Sequence, residues 1–221
     1  MSKFISAQEA AASIPEGSIL MIGGFMGAGT PPLLMDALVQ QGRGGFTVIA
    51  NDTARPGYGI GKLIDARLVH RAIVSHIGTN PETQRQMTDG ELEVELVPQG
   101  TLAERIRAGG YGLGGVLTST GLGTVAAEGK RTLMLDGKSF LLECPLKADF
   151  ALIGAWRADY RGNIEYAFTG RNFNPLMAMA ASTVIAEAKE IVPTGVIPPD
   201  NVITPHVLVD HLVGKETEHG R

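Results

Sequence analysis

The stretch MIGGFMGAGTPP, Met21 to Pro32, decides how this chain is read. A short apolar run ends in a loop with four glycines among the seven residues Gly23 to Gly29, and an apolar-periodic segment follows Thr30-Pro31-Pro32. Strand, glycine loop and helix in that order put bare backbone at the carboxyl edge of a sheet. A ligand can approach the main chain closely there, and the helix N-terminus offers unpaired amides and a positive dipole end to an anion. A tight strand-to-helix turn packed against a neighbour accounts for the same glycines equally well. Thr30 reads as the N-cap of the helix and Pro31 as its first residue.

Outward from this loop the pattern repeats. Upstream, Ser6-Ala7-Gln8-Glu9 reads as a capping box opening a short helix, which Pro15-Glu16-Gly17 ends. Downstream, LLMDALVQQG carries apolar residues at helical spacing and stops at Gly42, and FTVIA follows as a strand that runs into Asn51-Asp52. GKLIDARL reads as helix, RAIVSHIG as strand, PETQRQMTDG as a helix capped by Asn80, LEVELVP as strand, and LAERIRAGG as a helix opened by Thr101. Strands alternating with short helices imply a parallel sheet covered on both faces. RTLMLDGKSFLLE breaks the alternation: Asp136-Gly137 between two alternating runs predicts a hairpin. DFALIGAW, NIEYAF and STVIAEA read as later strands, with NPLMAMAA a short helix among them. The proline-punctuated tail GVIPPDNVITPHVLVDHLVG is expected to wrap the surface. The expected fold is α/β: one three-layer domain over residues 1–221, a mostly parallel open sheet with helices on both faces plus a β-hairpin.

Composition narrows the function classes. Charged residues are 19% of the 221, hydrophobic ones 44%, and the net charge is −4, with no polybasic segment to suit nucleic acid or an anionic membrane. No apolar run reaches the ~20 residues of a membrane span, and the N-terminus lacks a signal-peptide core. The single cysteine, Cys144, excludes a disulfide framework, fits a cytoplasmic location, and reads as a small buried residue.

Familiar catalytic patterns are missing. Gly110 to Gly115 spells G-x-G-x-x-G but follows an expected helix rather than a strand, which removes the dinucleotide context. Adjacent Ser75 and His76 on a strand point to opposite faces, poor geometry for a dyad. His206 and His211 lack one-face metal spacing, so no metal site is expected. Glu91, Glu93 and Glu95 share one strand face and read as solvated. Asn51 ends one expected strand and Gln99 lies just beyond another, so a parallel sheet brings both to the edge that carries the glycine loop. Uncharged amides there can orient a carboxylate or a thioester carbonyl by hydrogen bonds, although each taken singly, like Thr101, reads more simply as a loop cap.

GGFMGAGTP (Gly23 to Pro31) resembles the G-G-F-x-x-x-G-x-P signature of the α subunits of family I coenzyme A transferases. ELEVELVPQGTLAERIRAGG (Glu91 to Gly110), TSTGLGT (Thr118 to Thr124) and GRNFNP (Gly170 to Pro175) resemble further blocks of the same family. Glu16 stands where the family usually has Asp or Asn, and Gly170 where it has Ala or Ser. The resemblance implies transfer of coenzyme A from an acyl thioester to a free carboxylate through a glutamyl anhydride and a glutamyl-CoA thioester, with coenzyme A as substrate and no permanently bound cofactor. It implies that Gly23, Gly24, Phe25, Met26, Gly27, Ala28 and Gly29 bind coenzyme A, and that Asn51 and Gln99 orient the substrate. The family nucleophile lies in a Glu-Asn-Gly motif of the β subunit. This chain has no Glu-Asn-Gly, so no catalytic nucleophile is expected in it, and the implied assembly is an α₂β₂ heterotetramer. ANDTARPGYGIG and SHIGTNPET look most like the chains that work on acetate, butyryl-CoA and acetoacetyl-CoA; PQGTLAERIRAGG is equally like succinyl-CoA:3-oxoacid transferases. The competing readings are a non-catalytic acyl-CoA-binding domain and a sugar-phosphate isomerase, the latter lacking a convincing acid–base pair.

Overall fold

The computed structural model of the chain describes residues 3–214. Its first half alternates as the apolar pattern dictates: α1 (Ala7–Ala12), β1 (Ile19–Ile22), α2 (Pro32–Gln41), β2 (Phe46–Ile49), α3 (Gly61–Asp65), β3 (Val69–Val74), α4 (Pro81–Thr88), β4 (Glu93–Leu96) and α5 (Gln99–Gly110). The capping box forms, with the Ser6 side chain accepting from the Glu9 N–H and the Glu9 carboxylate accepting from the Ser6 N–H. Asn80 caps α4 by accepting from the Glu82 and Thr83 amides. Three β-strands follow, β5 (Val116–Thr118), β6 (Thr132–Leu135) and β7 (Lys138–Glu143). After them come β8 (Ala148–Asp159), β9 (Ile164–Glu165), α6 (Asn174–Ala180), β10 (Ala181–Val192) and β11 (His211–Gly214).

The main sheet runs β11-β10-β8-β1-β2-β3-β4, every one of these pairings parallel, with β9 folded back antiparallel on β8. Because side chains alternate along a strand, the buried strands feed two cores. Leu20, Ile22, Val48 and Val74 pack with Leu34 and Leu38 of α2 and Leu63 of α3. Met21, Ile49, Ile73, Ala151 and Ile153 pack on the other face with Leu102 and Ile106 of α5 and Met177 of α6. Each such aliphatic side chain removed from water contributes about 1.5–3 kcal/mol. β5, β7 and β6 make a separate antiparallel sheet, and Asp136 and Gly137 both take positive φ (49° and 72°), the geometry a two-residue hairpin turn demands.

Several local expectations shift. The α2 helix starts one residue late: Pro31 is the N-cap and Pro32 the first helical residue, while Thr30 is spent on the glycine loop. The α5 helix opens at Gln99, not Thr101, because Pro98 already supplies the extended residue before it. Of the tail expected to wrap the surface, His211–Gly214 instead extends the sheet, since Leu212 and Val213 find apolar cover as its edge strand. Cys144, expected to be buried, is exposed, because it follows β7 at the rim of the small sheet while Glu143 points inward.

Placement of the site follows from strand lengths. β1 pairs with β8 only from Leu20↔Phe150 to Ile22↔Leu152, whereas β8 and β10 stay paired to Asp159↔Val192. Beyond Ile22 the two long strands therefore stand free on one side. The sheet order also reverses between β1 and β8, and crevices of open α/β sheets lie outside the strand ends at that point.

Candidate active site

The glycine loop occupies that switch point. Gly23 N–H still bonds Leu152 O (3.0 Å), after which Phe25 and Ala28 close a small turn on each other. The glycines are needed for room: a Cβ on Gly23 would lie 1.7 Å from Asn174 Oδ1, and one on Gly154 of β8 would lie 2.4 Å from the Gly29 carbonyl oxygen. The two asparagines of the RNFNP segment clamp the loop. Asn172 accepts from Gly24 N–H (3.1 Å) and donates to Ala28 O (2.8 Å). Asn174 donates to Gly29 O (3.1 Å) and accepts from Gly154 N–H (3.1 Å). The signature glycines and the distant RNFNP motif thus form one structure, a role that the spacing alone did not reveal. The loop turns Phe25, Met26 and Ala28 to solvent.

Beside it opens a cleft of about 680 Å³, within the usual range for small-molecule sites. Its walls are the loop end Ala28–Thr30, the overhanging Gly154–Trp156 and Glu187–Lys189, and the segment 166–170. The Lys189 ammonium sits 4.3 Å from the centre of the Trp156 ring. Phe168 is 96% exposed and holds a left-handed φ of 50°, a conformation that costs energy in a non-glycine residue. Tyr166 shares a 2.8 Å hydrogen bond with Thr204, and burial pushes its hydroxyl well above the ordinary tyrosine range.

Among the described residues one carboxylate lines this cleft: Glu187, 7% exposed. It overturns the expectation that the α2 N-terminus is open to an anion. Pro31 and Pro32 have no N–H to offer, and the next two amides, Leu33 and Leu34, already donate to Glu187 (Leu34 N to Oε2, 3.0 Å). Burial raises the Glu187 pKa; those two backbone bonds only partly oppose the shift, and Asp36 adds to it. Nothing in the strand pattern of STVIAEA marked this residue out, because its role depends on the overhang of β10.

On the other flank of the loop lies a chain of amides. Met26 N–H donates to Asp52 Oδ2 (2.8 Å), Asn51 Nδ2 donates to the same oxygen (2.6 Å), and Gln99 Nε2 donates to Asn51 Oδ1 (2.6 Å). Ser75 Oγ adds a bond to the Asn51 carbonyl oxygen (2.7 Å) and to Oδ1 (3.1 Å). The structure brings Asn51 and Gln99 together at different depths: Asn51 is 2% exposed, while Gln99 is exposed at the start of α5. Thr101 is buried in α5, and its hydroxyl has no hydrogen-bond partner. Glu93 and Glu95 pair with Arg71, and Glu95 also with Arg105, so Glu95 belongs to an ion network rather than to bulk solvent. Among the described residues no group of three or more His, Cys, Asp and Glu side chains is placed to hold a metal, and no helix is long and apolar enough to cross a membrane.

Known proteins share this sequence and this fold. The family model described as Coenzyme A transferase matches residues 4–215. The alpha chain of the acetate CoA-transferase of Escherichia coli is 53% identical over 212 residues, 96% of each chain. The corresponding chain of the succinyl-CoA:3-ketoacid coenzyme A transferase of Xanthomonas campestris pv. campestris is 46% identical over 220 residues, 99% of this chain and 91% of that one. An Escherichia coli acyl-CoA transferase, solved as a thioester complex with CoA, matches with a TM-score of 0.86 at 22% identity. The match covers 96% of this chain and 47% of the other, so the chain spans about half the length of that protein, and the likeness is one of fold.

Proposed function

The chain belongs to the coenzyme A transferase family, and from that premise we propose that it is the α subunit of a heteromeric enzyme that moves coenzyme A between a short-chain acyl-CoA and a carboxylate acceptor. The acids best suited are acetate, butyrate and acetoacetate; the relative that works with succinyl-CoA defines the second candidate. In this reading a glutamate on the β subunit is the nucleophile: it attacks the thioester carbonyl and CoA thiolate leaves, giving a mixed anhydride. The thiolate attacks the glutamyl carbonyl and the acyl carboxylate departs. The acceptor carboxylate then displaces the thiolate from the glutamyl thioester, and the thiolate takes the new acyl group, returning the glutamate. This chain contributes the loop Gly23 to Gly29 against the carrier, and Gln99 as the amide that orients the reacting carboxylate, with Asn51 behind it.

The observation that carries this reading is the state of Glu187. Among the described residues, the carboxylate lining the cleft is tied to the α2 amides and burial disfavours its charge, which supports a nucleophile supplied by a partner chain. The test is reconstitution with a β subunit. CoA transfer from acetyl-, butyryl-, acetoacetyl- and succinyl-CoA to acetate or acetoacetate is expected from the mixture and not from this chain alone. Incubation with acyl-CoA without acceptor, followed by mass spectrometry, should place the CoA adduct on the partner. An adduct on Glu187, or full activity from the purified chain alone, overturns the division of labour.

A further inference from the structure

We propose that Asp52 is the positioning residue of this site, fixing which face the Gln99 carboxamide presents to the ligand; this rests on the reading that Gln99 orients the reacting carboxylate. Asp52 is 3% exposed and its carboxylate accepts three hydrogen bonds. Oδ1 takes the Ala54 N–H (2.7 Å), and Oδ2 takes the Met26 N–H (2.8 Å) and Asn51 Nδ2 (2.6 Å). Two consequences follow from these three bonds, in each of which the carboxylate is the acceptor.

The first concerns orientation. The two ends of an amide are nearly alike in shape and are told apart by their partners. Asn51 must turn its NH₂ toward Asp52, so its Oδ1 faces Gln99 and Ser75. Both of those must then donate, as they do. Gln99 is thereby committed to turning Nε2 inward, where one of its two N–H groups serves Asn51 and the other is left to donate to the ligand carboxylate. One carboxylate at the buried end thus sets the polarity of the exposed amide at the other.

The second concerns strain. Met26 and Ala54 are both non-glycine residues in the left-handed region, with φ of 51° and 53°. Both hang by their N–H groups from the same carboxylate, which offsets the cost of those conformations. Asp52 therefore holds the tip of the glycine loop and the amide relay in one register, so that carrier and carboxylate are presented together.

The experiment uses the reconstituted complex for kinetics and the ¹⁵N-labelled full chain for NMR. Asp52→Ala and Gln99→Ala are each expected to lower kcat by about tenfold to hundredfold, the scale of a misplaced reacting group. The double variant should fall no more than about twofold below the worse single, because residues acting as one unit are not additive. Asp52→Asn should restore part of the activity, since its single amide oxygen can take over both bonds made by Oδ2 while its NH₂ is left facing the Ala54 N–H. In the NMR spectrum the Gln99 side-chain NH₂ pair should be well dispersed and slowly exchanging in wild type and Asp52→Asn, and collapse toward free glutamine in Asp52→Ala. Multiplicative losses in the double variant, or an unchanged Gln99 NH₂ pair in Asp52→Ala, overturn the positioning role. Wild-type kinetics for Gln99→Ala, with the NH₂ pair still collapsing in Asp52→Ala, sink the reading of Gln99 while leaving Asp52 as its anchor.

Discussion

Glu187 shows how one residue can be read in opposite ways by charge and by geometry. In the reaction proposed above a glutamate facing a cleft is the obvious nucleophile, yet its hydrogen bonds make it a helix cap. Its raised pKa has a measurable consequence. Folding favours the neutral acid, so the stability this group contributes is present at pH below the ordinary carboxylate range and is lost as pH rises through the raised value. Glu187→Gln stays neutral and keeps an acceptor for the Leu34 amide. Its melting temperature relative to wild type should therefore climb between pH 4 and pH 8, which thermal denaturation at three pH values will check. Gly23 makes a second case at this scale. Its φ is unremarkable, so an alanine there fails through collision alone, with Asn174 Oδ1 in the way. Gly23→Ala should cost about 1–3 kcal/mol in urea unfolding, the range of an overpacked site, and should loosen the clamp on the loop.

At the scale of elements, the small sheet is held to the large one by charge. Glu143 at the end of β7 is 2% exposed and pairs with Lys130 (2.7 Å) and, at 3.8 Å, with Arg105 of α5. Arg105 also bonds Glu95 of β4 (2.8 Å) and the Cys144 carbonyl oxygen (2.9 Å). Burial alone would raise the Glu95 pKa, but the Arg105 and Arg71 guanidinium groups hold it below the usual carboxylate range. Removing Arg105 takes one of two cationic partners from Glu95 and from buried Glu143, which keep Arg71 and Lys130, so Arg105→Met should cost about 1.5–3 kcal/mol, the scale of hydrogen bonds to charged groups, read from urea unfolding. Arg107 on the same helix pairs with exposed Glu104 and lies over the Tyr111 ring at the surface, so Arg107→Met should cost far less than Arg105→Met. Elements of this kind were legible from sequence wherever local chemistry decides them. The Ser6–Glu9 box, the Asn80 cap, the Asp136-Gly137 turn and the alternating first half all read correctly, because each is settled within a few residues. What was not legible depends on distant partners. The reach of β8 and β10 beyond β1, the RNFNP clamp, the capture of the α2 amides by Glu187 and the placement of β11 all join residues far apart in the chain. The amide pair Asn51–Gln99 was found because parallel strand ends share an edge; their unequal depth was not, since it depends on where Pro98 starts α5.

For the molecule as a whole, the site is one-sided. The cleft and the amide relay lie on the carboxyl edge of the sheet, and that edge carries exposed apolar groups: Phe25, Met26, Trp156 and Phe168. If a β subunit delivers its glutamate here, it must cover part of this edge. Trp156, the chain's single tryptophan, should then report docking by a blue shift of its emission, with Trp156→Phe in the same mixture as the blank. An unchanged difference spectrum at saturating partner would place the partner elsewhere. The rim position of Cys144 has a further use. One accessible thiol per polypeptide, at the end of the small sheet, accepts a single dye without mutagenesis. Resonance energy transfer from Trp156 to that dye would then give a ruler between the two sheets, readable in solution while the complex turns over.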